Sequence, residues 1–348
     1  MSEADRDRRI LIIRTDRIGD VLLSTPVIKA VREVYPNSHI AVMVRPYAEE
    51  IVDGNPYLDE VILYDKNGKH KGWFATLKFA NELREKRFDL ALILHPTNRS
   101  NLIPFLAGIP ERVGYNKKLG VFLTKKIKDL KHLGEKHEID YNLDVLRAVG
   151  IEVKERQLYM PVKDEHERVI DRFFVLNDLN EGQGIIAFHP GASCPSKRWS
   201  AYRFGRVADE LIERYKFKVV IIGGPSDAET VKQMHMAMLH TPIVLSEKHS
   251  LGEVAALLKR CKIFISNDSG PVHIAVAVGT PVIAIFGRSD PGLSPKRWAP
   301  TGLNDIVIHK DVGCRECFAH NCEINFKCLE AITIEDALKT AETLLKKI

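Results

Sequence analysis

A chain of 348 residues is about twice the size at which one hydrophobic core grows comfortably, so two domains of roughly 170 residues each are expected. Hydrophobic residues at 45% and charged residues at 28% exclude a mainly disordered chain, and no apolar run approaches the ~18 residues that cross a bilayer. The net charge of +5 is unevenly placed: between residues 65 and 136, 16 Lys and Arg face 7 Asp and Glu, a local +9 that leaves −4 for the rest. That asymmetry suits either an anionic partner or a solvated lysine-rich surface.

In chain order, the polar start through Arg9 has no signal-peptide apolar core, which reads as a cytosolic protein. Residues 9–14, Arg-Ile-Leu-Ile-Ile-Arg, form a continuous β-branched run that predicts a buried strand. The loop Thr15-Asp16-Arg17-Ile18-Gly19-Asp20 follows. Val21, Leu22, Leu23, Val27, Ile28 and Val31 then keep helical spacing until Pro36 ends it. Further strands are expected at 40–44, 61–64 and 90–94, with a helix over 73–86 between the last two. The basic stretch carries no recognition helix, RNP motif or aromatic platform, so nucleic acid is not the expected partner.

The second half begins the pattern again. Strands are expected at 185–188, 218–222, 243–245, 263–265 and 282–286. Helices are expected at 201–215, 228–239, 251–260 and just after Pro271. Such alternation predicts an α/β protein of two Rossmann-like, doubly wound domains, with domains at 1–170 and 171–348. The junction is sought between residues 160 and 184, and a final helix over 334–347 is expected to pack back on the first domain. No short repeat or low-complexity tract is present.

In open parallel sheets, ligands bind beyond the carboxyl ends of the strands. Three loops in the second half occupy such places. Ser266-Asn267-Asp268-Ser269-Gly270-Pro271-Val272-His273 opens a helix whose free N–H groups attract phosphate, or is simply a capped helix start. His189-Pro190-Gly191-Ala192-Ser193-Cys194-Pro195-Ser196-Lys197-Arg198-Trp199 permits close backbone approach and supplies Lys197 to neutralise a diphosphate. Ile222-Gly223-Gly224-Pro225-Ser226-Asp227 adds a carboxylate able to accept from sugar or ribose hydroxyls. An exposed lysine and a buried, satisfied histidine are the plain alternatives for Lys197 and His273. In the first half, Arg17-Ile18-Gly19-Asp20 lacks the three-glycine dinucleotide fingerprint. Asp20 is either an N-cap for the following helix or a general base facing a donor across an interdomain cleft, with Asp16 the second candidate.

At these motifs, over nearly its whole length, the chain resembles the ADP-heptose:lipopolysaccharide heptosyltransferases of glycosyltransferase family nine. The Pro-Gly-Ala and Lys-Arg-Trp elements look more like the second heptosyltransferase than the first. The resemblance implies a GT-B fold and an inverting, metal-independent transfer of L-glycero-D-manno-heptose from ADP-heptose to the lipopolysaccharide inner core. It implies Asp20 as base and a donor site of Ser193, Lys197, Asp227, His249, Asp268, Ser269, Gly270 and His273. It also implies an anionic glycolipid acceptor, for which Gly19, Lys117 and Lys118 are the contacts taken from the loop after the first strand and from the basic stretch. Trp73 and Phe74 are candidate sugar or membrane contacts at the inner leaflet of the cytoplasmic membrane. No cofactor is required. Domain closure is expected, since donor and base lie on different domains.

Cys314, Cys317, Cys322 and Cys328 form a C-x2-C-x4-C-x5-C cluster, open to structural zinc, disulfides or free thiols. Cys194 and Cys261 lack a nucleophile's partners. Two other classes of function remain open: a nucleotide-sugar epimerase or hydrolase, and a glycolipid or nucleotide-sugar binding protein without turnover.

Overall fold

Strand β1, Arg9–Ile13, is fully buried from Ile10 onward, as its unbroken apolar run requires of a central parallel strand. The computed structural model describes residues 7–348 except 154, 181, 246 and 247; the extreme start of the chain and Glu181 of the predicted junction lie outside them. Two units are present, one made of residues up to 132 with 138–161, the other of 133–137 with 162–348.

In the first unit β1 is followed by α1 (Ile18–Leu22), α2 (Thr25–Val34), β2 (His39–Val44), β3 (Glu60–Leu63), α3 (Trp73–Glu85), β4 (Leu90–Ile93), α4 (Asn98–Leu106), β5 (Glu111–Tyr115), β6 (Lys125–Ile127) and α5 (Glu138–Arg147). The sheet is parallel, in the order β3-β2-β1-β4-β5-β6. The helix expected from Val21 is two helices, broken at Leu23 and Ser24, and the first begins at Ile18. Gly19 and Asp20 therefore stand in its opening turn rather than in a loop before it.

In the second unit come α6 (Asp164–Leu176), β7 (Ile185–His189), α7 (Ala201–Tyr215), β8 (Lys218–Ile221), α8 (Ala228–Ala237), β9 (Ile243–Val244), α9 (Leu251–Lys259), β10 (Ile263–Asn267), α10 (Gly270–Val278), β11 (Val282–Phe286), α11 (Pro295–Trp298), β12 (Ile306–His309), α12 (Lys327–Glu330) and α13 (Ile334–Leu345). Its sheet runs β12-β11-β10-β7-β8-β9, all parallel. Both sheets share one topology, in which the first and fourth strands of each unit pair at the centre. Strand order reverses there, which is where doubly wound sheets open a crevice for ligands.

The division between the units falls inside the 160–184 stretch where the junction is sought. The boundary falls between 161 and 162 rather than at 170, because α6 belongs whole to the second unit. It packs on α9, buries Ile170 and Phe174, and its Glu167 and Asp171 pair with Arg260. The last helix, α13, packs on α7 and β12, and its Ala337, Leu338, Ala341 and Leu344 are part of the second unit's own core. No described helix is long and apolar enough to cross a membrane.

Candidate active site

At the carboxyl end of β1 the chain places a buried cation. Arg14 is 2% exposed and gathers three carboxylates: Asp16 at 2.8 Å, Asp20 at 2.7 Å and Glu138 at 3.3 Å. Its Nη1 also donates to the Asn142 side chain at 2.9 Å. Glu138 and Asn142 are four residues apart on α5 and so share one helix face. Glu138 has a second cation in Lys131, at 2.8 Å. Burial opposes a charged guanidinium, but Asp16, Asp20 and Glu138 together hold Arg14 firmly protonated. Burial pushes the Asp16 carboxyl up to about 7 despite Arg14, and burial, then Arg14, push the His95 ring down to about 3. His95 follows β4, with Nε2 3.9 Å from Asp16.

Asp20 does not cap a helix. Its Oδ1 accepts from Arg14, while no hydrogen bond from the described residues reaches Oδ2. Beside this cluster, within the first unit, lies a cavity of about 400 Å³ lined by Thr15, Lys66, His95, Thr97, Arg99 and Lys118 among others. Thr97 is the N-cap of α4 and accepts from the Ser100 N–H. Lys118 lines the cavity, whereas Lys117 is paired with Asp129 at 3.0 Å and is not among the lining residues. Gly19 is buried in α1.

The second unit carries the opposite arrangement at its own switch point. Asp268, at the end of β10, is a buried carboxylate held by two cations, Lys197 at 2.8 Å and Arg288 at 3.1 Å. Lys197 ends the single helical turn Pro195–Lys197. Asn267, fully buried, secures that loop: its Oδ1 accepts from the Trp199 N–H at 3.0 Å and its Nδ2 donates to the Pro190 carbonyl at 2.7 Å. Ser269 is the N-cap of α10, yet its hydroxyl makes no capping bond. It turns instead to His189 Nδ1 at 3.1 Å and Ser266 Oγ at 3.1 Å. The N-terminus of α10, beginning at Gly270, is therefore open at its side-chain cap.

Asp227 lies at the same sheet edge, accepting from the Gly224 N–H and facing His189 Nε2 at 3.3 Å. Burial opposes its ionisation, but the His189 hydrogen bond and the Gly224 N–H hold its carboxyl below the usual range. His273, in the first turns of α10, is 5% exposed; its Nδ1 has no partner among the described residues, and burial pushes its ring down to about 3. A neutral, buried histidine with a free ring nitrogen fits a ligand contact better than a satisfied core residue.

Lys197, Asp227, Asp268, Ser269, Gly270 and His273 thus share one sheet edge. Ser193 is exposed on the same loop as Lys197. His249 is bound to Glu253 at 2.7 Å and lies edge-on to Phe173; neither partner belongs to the Asp268 cluster. Sequence reasoning missed Arg288, His189 as a site residue, and Arg14, His95, Glu138 and Asn142. A signal existed for α5, whose Ile139, Leu143 and Leu146 are spaced as a helix face. The six cysteines are free, so the disulfide alternative is not realised. Among the described residues no three or more His, Cys, Asp or Glu are grouped to hold a metal.

Comparison with known proteins fits this geometry. The model of the family described as glycosyltransferase family 9 (heptosyltransferase) matches residues 76–327. Lipopolysaccharide heptosyltransferase 2 of Escherichia coli K12 is 27% identical over 297 residues, covering 82% of this chain and 85% of that protein. A solved structure of a family 9 glycosyl transferase from Veillonella parvula is 29% identical, with a TM-score of 0.87 and 99% of both chains covered. The structure of Escherichia coli ADP-heptose lps heptosyltransferase II, at 24% identity, shares the fold with a TM-score of 0.78, over 97% of this chain and 99% of that one.

Proposed function

We propose, from the premise that this chain belongs to glycosyltransferase family 9 (heptosyltransferase), that it moves a heptose from ADP-heptose to the inner core of lipopolysaccharide with inversion at the anomeric carbon. The observation that carries the donor half is the Lys197–Asp268–Arg288 cluster beside the uncapped N-terminus of α10. Two cations on one carboxylate leave one positive charge unmet, and helix N–H dipoles add to it. A diphosphate supplies the missing charge. Asp227 and His273 then contact the nucleotide or sugar.

Asp20 is the base. Arg14 fixes one carboxylate oxygen and leaves Oδ2 for the acceptor hydroxyl. As the acceptor oxygen bonds to the anomeric carbon, its proton passes to Asp20 and the sugar–phosphate C–O bond breaks. The bonding pair leaves with the β-phosphate as ADP. Lys197, Arg288 and α10 stabilise that leaving charge, so the side chains present can carry the step without a metal ion.

The acceptor is an anionic glycolipid. Lys66, Arg99 and Lys118 around the cavity next to Asp20 give the +9 stretch its purpose, and Thr97 adds a hydroxyl. Trp73 at 55% and Phe74 at 87% exposure begin α3 from that stretch, and a large ring left in solvent beside lysines suits a peripheral contact with the inner leaflet of the cytoplasmic membrane.

The test is ADP release from ADP-heptose with and without lipopolysaccharide lacking outer heptose. Release that depends on the acceptor, with one heptose gained by the glycolipid in mass spectra, is the expected result. Release indifferent to acceptor would move the reading to a hydrolase or epimerase, and binding without any release would leave a binding protein.

A further inference from the structure

His189, which the transfer chemistry above does not use, sits at the centre of a chain of polar groups. It is 4% exposed and lies opposite Ser266 in the register of β7 with β10. Its Nε2 faces the Asp227 carboxylate at 3.3 Å. Its Nδ1 faces Ser269 Oγ at 3.1 Å and Ser266 Oγ at 3.4 Å. The Ser266 hydroxyl has a shorter acceptor, the Asn267 carbonyl at 2.8 Å, and gives its one proton there.

Hydrogen-bond accounting then fixes the polarity of Ser269. A carboxylate only accepts, so Nε2 must carry a proton toward Asp227, and in a neutral ring Nδ1 is left as an acceptor. Ser269 is the remaining donor and turns its proton inward. Its outward face, beside the N-terminus of α10, then offers lone pairs alone, which repel a phosphate oxygen. A second proton on the ring reverses this. Nδ1–H donates to Ser269 Oγ, and the hydroxyl proton, released from Nδ1, is left to choose between Ser266 Oγ at 3.1 Å and an anion outside, where a negative charge at the N-terminus of α10 draws it outward.

We propose that His189 sets the hydrogen-bond polarity of Ser269, so that a phosphate group binds at the N-terminus of α10 together with one proton on the His189 ring. The inference rests on the reading that a diphosphate lies there. Of the charged groups around the ring, Asp227 favours the second proton, and the nearby cations oppose it until an anion binds. Asp227, from the loop after β8, stabilises the imidazolium directly; Arg198 lies close enough to Asp227 to act on its ionisation. Asp268, next in sequence to Ser269, is held by Lys197 and Arg288, and the one positive charge they leave unmet is met when a phosphate binds. Gly191 is part of the device, since a Cβ there would stand 2.3 Å from the Asp227 carboxyl carbon.

The test is isothermal calorimetry of the full chain with ADP, and separately with pyrophosphate, in buffers of different ionisation enthalpy across neutral pH. His189→Gln is the comparison: its amide keeps a donor for Asp227 but takes no proton. Each ligand's own titration is common to both proteins, so the difference between them counts the protein's proton. The wild type should take up as much as one proton more per ligand, and its affinity should fall up to tenfold more per pH unit than that of His189→Gln above neutral pH. Equal uptake in the two overturns the proposal. Ring-nitrogen NMR of the wild type reads the same event without a substitution: one histidine gains a protonated Nδ1 on saturation with ADP, and no change overturns it. ADP binding without extra uptake defeats this inference alone. Pyrophosphate binding with uptake, but no binding of ADP, upholds it and defeats the nucleotide reading; failure of both ligands to bind defeats both.

Discussion

The two units place inverse ion clusters at the switch point of the same topology, one after the first strand of its unit and the other after the fourth. In the first, one guanidinium, Arg14, is surrounded by Asp16, Asp20 and Glu138, with Lys131 on the far side of Glu138. In the second, one carboxylate, Asp268, is surrounded by Lys197 and Arg288. With all three carboxylates ionised the first carries one negative charge too many, which a proton on the raised Asp16 meets; the second carries one positive charge too many and is suited to receive an anion. A shared strand order fixes where a site forms. The sign of its central residue decides what the site does.

That contrast can be broken at its strongest points first. Asp20→Asn should lower kcat by about 10²–10⁴-fold while ADP affinity by calorimetry stays put, because the substitution touches only the proton-accepting side. Arg14→Met removes the hub of the first cluster and takes the guanidinium away from Asp16, Asp20 and the buried Glu138. A loss of about 3–5 kcal/mol in urea unfolding is expected for uncovering buried charge, and a loss under about 1 kcal/mol would refute its central place.

Asp16 gives a pH signature. Its carboxyl is raised from the ordinary 3.8 to about 7 by burial, so between those values the native state holds a proton that the unfolded chain has released. Native stability should therefore fall as pH rises through that window and level off above it. Asp16→Asn lacks the titration, so its stability relative to wild type should climb across the window by roughly 2–4 kcal/mol. Equal pH dependence of the two proteins would contradict the buried placement. Last, Lys197→Ala leaves Asp268 with Arg288 and removes one charge-assisted contact, worth about 1.5–3 kcal/mol; ADP should bind roughly 10–100-fold more weakly, with kcat of a fully loaded enzyme changed less than in Asp20→Asn.

The second unit was far more legible than the first. Its strands are unbroken apolar runs and α7 alternates faces cleanly, so the expected and observed bounds differ by a residue or two, and only the short β12 and the four-residue helices α11 and α12 escaped notice. In the first unit β5, Glu-Arg-Val-Gly-Tyr, mixes charge with glycine, β6 is an edge strand reading Lys-Lys-Ile, and α4 carries Pro104 inside it. Such elements form because neighbours cover them, not because their own pattern insists. The sites divide the same way. Residues on loops just after strands, such as Lys197 and Asp268, could be found from their setting. Glu138 could not, since it reaches Arg14 from a helix 124 positions away; Arg288, just after β11 on the same sheet edge as Asp268, stood in a findable setting and was overlooked.

Gly191 carries a consequence for how this sequence can drift. A side chain at 191 would collide with the Asp227 carboxylate, which is itself held by the Gly224 N–H and His189. Tolerance at position 191 is therefore conditional. Gly191→Ala alone should be selected against, whereas the same change in a background where 227 has first become smaller should pass. The two positions, 36 apart in the chain, form an epistatic pair whose order of change is constrained: the carboxylate must go before the glycine can.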